Sequence, residues 1–440
     1  MELGSFVHIV SMVTIVVSIV VCISIIACVL FVPEIKIGRV RIAPYWAVAL
    51  LGAIVILIFG DITLQDLGNK LTANTAVNPL KILALFFGMT IISVFLDEAG
   101  FFAYLASVAL SKAGGSQKRL FNLFFFTIAI LTVFTSNDIV ILTFTPFIIY
   151  FCRNANIDSK PYLIAEFAAA NTFSMLLIIG NPTNIYLAAG MDFLYYAAVM
   201  ALPAICTGMT CYFVIKLLFR KSLSIKIEST CALVPIKDKP LALVSLSFLA
   251  ICTVLLAISG YVGLEMWYVA LGGGVIVTLF ALVYGTLKGR LVFLERGLVR
   301  IPWQLAPFLL AMFTIVSALS GIGITEKIGA ILNAGEWSIV TYLLSSTIGA
   351  NILNNIPMSV LFGAVLSGAS EGALFATVIG SNVGALLTSV GALAGIMWTN
   401  MLKKENIAYG IKEFVKYGCV LVGCALPIAA ITLCLSLLII

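Results

Sequence analysis

The 440-residue chain is 62% hydrophobic and 10% charged, with a mean hydropathy of +1.18. A soluble domain carries about a quarter charged residues, so soluble folds are excluded and most of the mass lies in lipid. The formal charge of +6 is small and sits in short loops, which makes it a topology signal rather than a nucleic-acid footprint; no DNA-binding motif occurs. The ten cysteines are scattered with no C-x-x-C pair, so they read as packing residues and not as a disulfide framework or zinc site.

The start, MELGSFVHIV, lacks the basic region and cleavage site of a signal peptide and reads as part of the first span. Apolar runs that match the ~30 Å hydrocarbon core lie at 5–32, 44–60, 80–96, 161–190, 193–219, 241–259, 265–284, 302–320, 370–402 and 417–440, which predicts about ten transmembrane helices. Two more apolar regions, 119–152 and 337–367, are each interrupted by a polar cluster. Their arms, of about 11–16 residues, are too short to cross.

Lys and Arg collect in cytoplasmic loops. Lys36, Arg39 and Arg41 fall in 33–43; Arg220, Lys221, Lys226, Lys237 and Lys239 in 220–240; Lys288, Arg290, Arg296 and Arg300 in 285–300; and Lys403, Lys404, Lys412 and Lys416 in 403–416. These loops are predicted inside. The connections at 61–79, 260–264 and 321–336 hold only Lys70 and Lys327 and are predicted outside, as are both termini. Region 119–152 is flanked by Lys112, Lys118 and Arg119 on one side and by Arg153 and Lys160 on the other. Both its ends are therefore cytoplasmic, and it must enter the membrane and return as a re-entrant hairpin with Ser136, Asn137 and Asp138 at its tip. Region 337–367 begins and ends outside by the same reasoning, with Asn354 and Asn355 at its tip. The two hairpins oppose each other.

Opposed hairpins suggest inverted halves. SNDIVILTFTP (136–146) resembles LNNIPMSVL (353–361), pairing Asn137 with Asn354 and Asp138 with Asn355. NTFSMLLIIG (171–180) sets against NVGALLTSVG (382–391), with Asn171 and Gly180 matching Asn382 and Gly391. GFFAYLASVAL (100–110) and GITEKIGAIL (323–332) read as short surface helices. The predicted architecture is an all-α polytopic membrane protein of two inverted-topology repeats, 1–219 and 241–440, joined by a cytoplasmic linker at 220–240. Each repeat holds one hairpin (119–152, 337–367) and one broken helix (161–190, 370–402).

The breaks are Gly180-Asn181-Pro182-Thr183-Asn184 and Leu387-Thr388-Ser389-Val390-Gly391. Gly and Pro free backbone groups that need partners at membrane depth, which is tolerated where they line a buried or watery cavity; the simpler reading is a Pro kink between packed helices. Helix N-termini attract anions, while unwound carbonyls and Asn, Ser, Thr or Asp oxygens suit Na⁺ or H⁺. An intramembrane carboxylate is a candidate for proton or cation handling. Asp138 is the first coupling candidate, and Glu166, five residues beyond Pro161, the second. No Lys or Arg falls at a tip or break, which favours a neutral or weakly charged solute.

The pattern Ser136-Asn137-Asp138-x6-Thr145-Pro146, with Gly180-Asn181-Pro182-Thr183-Asn184 and Gly380-Ser381-Asn382-Val383-Gly384 followed by Thr388-Ser389-Val390-Gly391, resembles the ion transporter superfamily over nearly the whole chain. That superfamily includes arsenite efflux pumps, citrate carriers, sodium–proton exchangers and sodium–dicarboxylate symporters. The resemblance implies a substrate and cation site of Ser136, Asn137, Asp138, Asn171, Gly180, Asn181, Pro182, Thr183 and Asn184 from one half and Asn354, Asn355, Ser381, Asn382, Thr388, Ser389 and Gly391 from the other, with Na⁺ at the hairpin tips as one occupant. The Asn-Asp pair is similar to arsenite pumps. The first break is similar to the symporters, and the second lacks their proline.

A secondary transporter coupled to H⁺ or Na⁺, with no other cofactor, is the function expected. Proton-coupled efflux of arsenite or antimonite is preferred over sodium- or proton-coupled transport of citrate or a dicarboxylate; a sodium/proton antiporter and a channel are further readings. An intramembrane hydrolase is disfavoured because His8 is the sole histidine and Asp138 lacks an intramembrane partner acid. No G-x4-G-K-[ST] loop occurs, so the chain does not hydrolyse ATP itself. Its expected partners are the lipid bilayer and a small-molecule solute, with no nucleic acid; a homodimer is compatible with the fold, and the resemblance to arsenite pumps allows a soluble ATPase. The expected location is the cell membrane.

Overall fold

A computed structural model of the chain describes residues 2–32, 35–37, 40–42, 44–75, 77–227, 233–335, 337–407 and 409–440. Arg39 of the first inner loop and residues 228–232 of the linker lie outside the described residues.

The first half runs α1 (Glu2–Phe31), a ribbon of β1 (Ile35–Ile37) and β2 (Val40–Ile42), α2 (Tyr45–Phe59), α3 (Leu64–Thr72), α4 (Pro79–Glu98), α5 (Phe101–Ala113), α6 (Gln117–Phe134), α7 (Asn137–Asn154), α8 (Lys160–Phe173), α9 (Pro182–Leu187) and α10 (Phe193–Leu218). The second half runs α11 (Lys239–Ile258), α12 (Met266–Lys288), α13 (Val292–Arg300), α14 (Leu305–Gly321), α15 (Ile324–Leu332), α16 (Ser338–Leu353), α17 (Asn355–Val365), α18 (Glu371–Val383), α19 (Leu393–Lys404) and α20 (Ile411–Ile439). Each helix of the first half has its counterpart ten helices later. The antiparallel ribbon, pairing Ile35 with Ile42, closes the loop after α1.

Local signals set these boundaries. Asn78 caps α4 by accepting from the amides of Leu80 (2.8 Å) and Lys81 (3.3 Å), with Pro79 as the first helical residue, which uses proline where its missing N–H costs nothing. Asp192 and Asp238 cap α10 and α11 in the same way. Gly100 (φ 89°) and Gly323 (φ 74°) precede α5 and α15. Both adopt the left-handed conformation that a side chain disfavours, so the short helices matched in the sequence also share their entry turn.

Among the described residues, eight helices are long and apolar enough to cross a membrane, or nine if α2 and α3, bent by 120° at their junction, form one span. The difference from ten has a physical basis. Both broken spans divide into pieces below crossing length, α2 has 15 residues, and α6 reaches 18 although it is one arm of a hairpin. The hairpin arms exceed the expected length because α6 and α7 continue through polar turns at Gln117–Arg119 and Arg153–Asn154.

Arms α6 and α7 both pack on α5 and α8, and α16 and α17 both pack on α15 and α18, so the chain reverses at each tip. The halves interlock crosswise. Helix α2 packs on α14 while α12 packs on α4, α9 packs on α17 while α19 packs on α7, and α10 lies against α20. Helix α4 is buried nearly all round. Leu243, Val254, Leu279 and Val283 of α11 and α12 and Phe213 and Leu217 of α10 point outward, as expected of a lipid-facing surface.

Candidate functional site

Helix α8 ends at Phe173, seven residues before the Gly180 motif, and the chain passes through 3-10 turns at Ser174–Leu176 and Ile178–Gly180 before α9 starts at Pro182. In the second half α18 ends at Val383, a 3-10 turn covers Gly384–Leu386, and α19 starts at Leu393. Both spans therefore unwind earlier than Gly and Pro alone predict. A freed backbone group costs several kcal/mol in hydrocarbon, and its partners are visible. Asn184 Nδ2 donates to the carbonyls of Ser174 (2.9 Å) and Leu177 (3.2 Å), and the Tyr196 hydroxyl donates to Met175 O at 3.0 Å. At the second break Asn351 Nδ2 donates to Gly384 O (2.8 Å), Asn354 Nδ2 to Val390 O (2.8 Å), and the Asn355 amide to Gly391 O (3.1 Å). The second hairpin tip thus takes up the carbonyls of a break that has no proline.

The predicted residues fall into three clusters. At the first tip Asn137 Nδ2 donates to Asn171 Oδ1 at 3.3 Å, and Asn137 Oδ1 accepts the Asp138 amide at 2.9 Å; Ser136 is the buried residue that precedes α7. The second cluster joins the halves. Asn382 Oδ1 accepts from Asn181 Nδ2 (2.8 Å) and from the Ser174 hydroxyl (3.1 Å), Asn382 Nδ2 donates to Asn184 Oδ1 (2.8 Å), and the hydroxyls of Thr183 and Ser381 meet at 3.2 Å. The third holds Asn354, Asn355 and Gly391, with Thr388 donating to Asn351 Oδ1 at 2.7 Å and Ser389 buried at the bend. Gly180 closes the second 3-10 turn and Pro182 opens α9. Among the described residues, no side-chain hydrogen bond joins the first tip to Gly180–Asn184.

The tips face a common region. Helices α7 and α19 run side by side, and at their lower ends Arg153 reaches Glu405 at 2.8 Å to its carbonyl and 3.2 Å to its carboxylate. Their other ends, Asn137–Asp138 and Leu393, both point away from that pair, with α7 (18 residues) extending further than α19 (12 residues), and Leu393 adjoins the bend that Asn354 and Asn355 bind. Tyr45, Asn354, Ile356 and Leu393 line one small cavity, and Tyr45 is within electrostatic reach of Asp138.

Satisfaction of hydrogen bonds separates these residues. The cluster around Asn382 is buried and internally paired. In contrast, among the described residues Asn355 Oδ1 and the Tyr45 hydroxyl are buried without a partner, and the half-buried Asp138 carboxylate has no hydrogen-bond or ion-pair partner. Asp138 and Asn355 are equivalent positions of the two repeats. Unpaired oxygens at such positions are free to hold a proton, a cation or a solute hydroxyl.

Glu166 sits apart from this region. It is fully buried between α7 and α19, half-way along α7, with Thr145 Oγ1 3.0 Å from both its oxygens. Sequence reasoning missed Ser174, Asn351 and Tyr45. Ser174 and Asn351 stand three residues from Asn171 and Asn354, a spacing that puts side chains on one helical face and could have flagged them; nothing local marks Tyr45.

A family model described as a citrate transporter (CitMHS) matches residues 26–376. The arsenical pump membrane protein of Escherichia coli is 29% identical over 412 residues, covering 88% of this chain and 91% of that protein. The protein of the same description from Yersinia enterocolitica is 27% identical over 373 residues, covering 80% and 84%. Among solved structures, the YdaH transporter of Alcanivorax borkumensis matches with a TM-score of 0.59 at 14% identity, over 96% of this chain and 97% of that one, a likeness of fold.

Proposed function

Because the chain belongs to the citrate transporter family within the ion transporter superfamily, and is accordingly a multi-pass membrane transporter, we propose that it exports arsenite or antimonite in exchange for protons. One observation carries this choice of solute. Both hairpin tips offer carbonyls, amides and unpaired oxygens, but no Lys or Arg bonds to either among the described residues. A citrate trianion would have to sit beside Asp138 without a cationic side chain, and charge at membrane depth is costly when unpaired. Arsenite near pH 7 is a neutral hydroxide that needs only donors and acceptors. The arsenical pump relatives support the same reading.

In this reading Asp138 binds the exchanged proton. The amides and carbonyls of the two breaks, together with Asn137, Asn355 and Tyr45, hold the solute. Sodium- or proton-coupled citrate transport is the second reading, favoured by the description of the family. Reconstituted protein tested with arsenite, citrate and succinate under separate sodium and proton gradients decides between them. Arsenite accumulation driven by protons, and lost in Asp138→Asn, is expected. Citrate movement under a sodium gradient with no arsenite flux would sink the proposal.

A further inference from the structure

Glu166 has no exposed surface and is sealed by aromatic rings. Phe167 lies 5.1 Å from Trp398 and 5.4 Å from Phe414, and Tyr409 lies 5.3 Å from Trp398, ring centre to ring centre. Charged groups on the packed elements sit elsewhere. Arg153 of α7 pairs with Glu405, Lys160 of α8 with Glu413, and Lys403 and Lys404 end α19. Asp138 is seven residues before Thr145 on α7, close to two full turns, so both lie on one face of that helix about 10 Å apart along its axis.

The Thr145 hydroxyl cannot donate to both of its neighbours at once. Thr145 Oγ1 is 2.7 Å from Ile141 O and 3.0 Å from each Glu166 oxygen, yet a hydroxyl has one proton to donate. With that proton on Ile141 O, the contact to Glu166 is a hydrogen bond only if Glu166 donates. Meanwhile the Trp398 indole N–H lies near the same carboxyl group and is buried with no hydrogen-bond partner among the described residues. This unmet donor would satisfy the anion. The pocket therefore has partners for both forms: a hydroxyl that accepts from the acid, and two donors for the carboxylate.

We propose that Glu166 is a second proton carrier of the transport cycle, lying between Asp138 and the end of the hairpin, with Thr145 and Trp398 as positioning residues for its two forms. Each time the transport cycle opens this pocket to one side, the carboxylate takes one proton from a hydronium ion, leaving water, or the acid returns it to a water molecule, which becomes hydronium; no other group changes. The inference rests on the proton coupling proposed above.

Three measurements test it: solute-driven proton flux in proteoliposomes holding a pH-sensitive dye, infrared spectra of the purified protein, and thermal unfolding. E166Q matches the acid in shape and is expected to unfold at the wild-type temperature, to lose proton flux, and to lack the C=O stretch of a buried carboxylic acid that the wild type shows. W398F should keep that band but carry it to higher pH, because the anion has lost a donor, whereas a packing role alone would leave the pH dependence unchanged. Persistent proton flux in E166Q, absence of the band from the wild type, or an unchanged pH dependence in W398F would each overturn the inference and leave proton-coupled export standing. If E166Q fails to fold, the wild-type band and W398F decide. Wild-type arsenite flux with no proton movement would overturn both.

Discussion

Asn382 and Asn355 differ in what their side chains are for, although each is an asparagine buried in an apolar run. Asn382 links Ser174, Asn181 and Asn184 of the other half. Truncating it strands several buried polar groups at about 1–3 kcal/mol each, so Asn382→Ala should lower the thermal unfolding temperature sharply. Asn355 keeps its amide bond to Gly391 when truncated, and its Oδ1 has no partner to lose. Asn355→Ala should therefore change stability by less than about 1 kcal/mol while severely impairing transport. Paired unfolding and flux measurements check this, and equal destabilisation of the two variants would refute the distinction. The sequence makes both residues legible as polar groups in lipid. It cannot separate them, because the partners of Asn382 lie about two hundred residues away and the bond count of Asn355 exists only after folding.

At the scale of elements, helix type and order were legible from apolar run length, and the repeat from paired Asn and Gly positions. The points of unwinding were not. Local sequence places the first break at Gly180 and Pro182, yet α8 yields at Ser174, because Asn184 and Tyr196 capture carbonyls there that the helix would otherwise need. The Gly180 requirement is steric. A Cβ at this position would lie 2.2 Å from the Ser174 carbonyl oxygen, a backbone atom that no rotamer change can move. Gly180→Ala should thus destabilise the fold by about 1–3 kcal/mol, the usual range for overpacking, with loss of detergent-stable protein. Gly68, inside α3 with open space around it, is the control: Gly68→Ala should be neutral or mildly stabilising, since alanine favours the helix. Equal yields and unfolding temperatures for the two variants would mean that the turn tolerates a side chain and that its tight geometry is not essential.

At the scale of the whole molecule, the loops that charge assigned to one face do meet one another. Ile227 donates to Gly115 O, Lys237 and Asp238 donate to Ala99 O, Arg290 pairs with Asp238, Arg300 with Asp97 and Glu98, Lys160 with Glu413, and Arg153 with Glu405. The opposite end has its own belt. Lys81 joins Asn74 and Glu265, and a cavity of about 630 Å³ opens between Asn74, Thr75 and Lys81, residues 188–193, and residues 259–261 with 264–267, reaching down to Ile178 and Ile185 at the first break. Hydrogen bonds from Lys81, aided by Trp267, hold the Glu265 carboxyl below its usual range. Among the described Lys and Arg residues, Lys70, Lys81 and Lys327 alone belong to this second end. Positive charge is retained on the cytoplasmic side, so the cavity end should face out and the linker end in. Single cysteines at Thr75 and Ser224, placed in a background with the native cysteines replaced, report this directly: an impermeant thiol reagent added to intact cells should modify Thr75→Cys, and Ser224→Cys only after the cells are opened. The reverse pattern would turn the molecule over, so that the cavity beside the first break would serve cytoplasmic uptake of the solute and not its release outside.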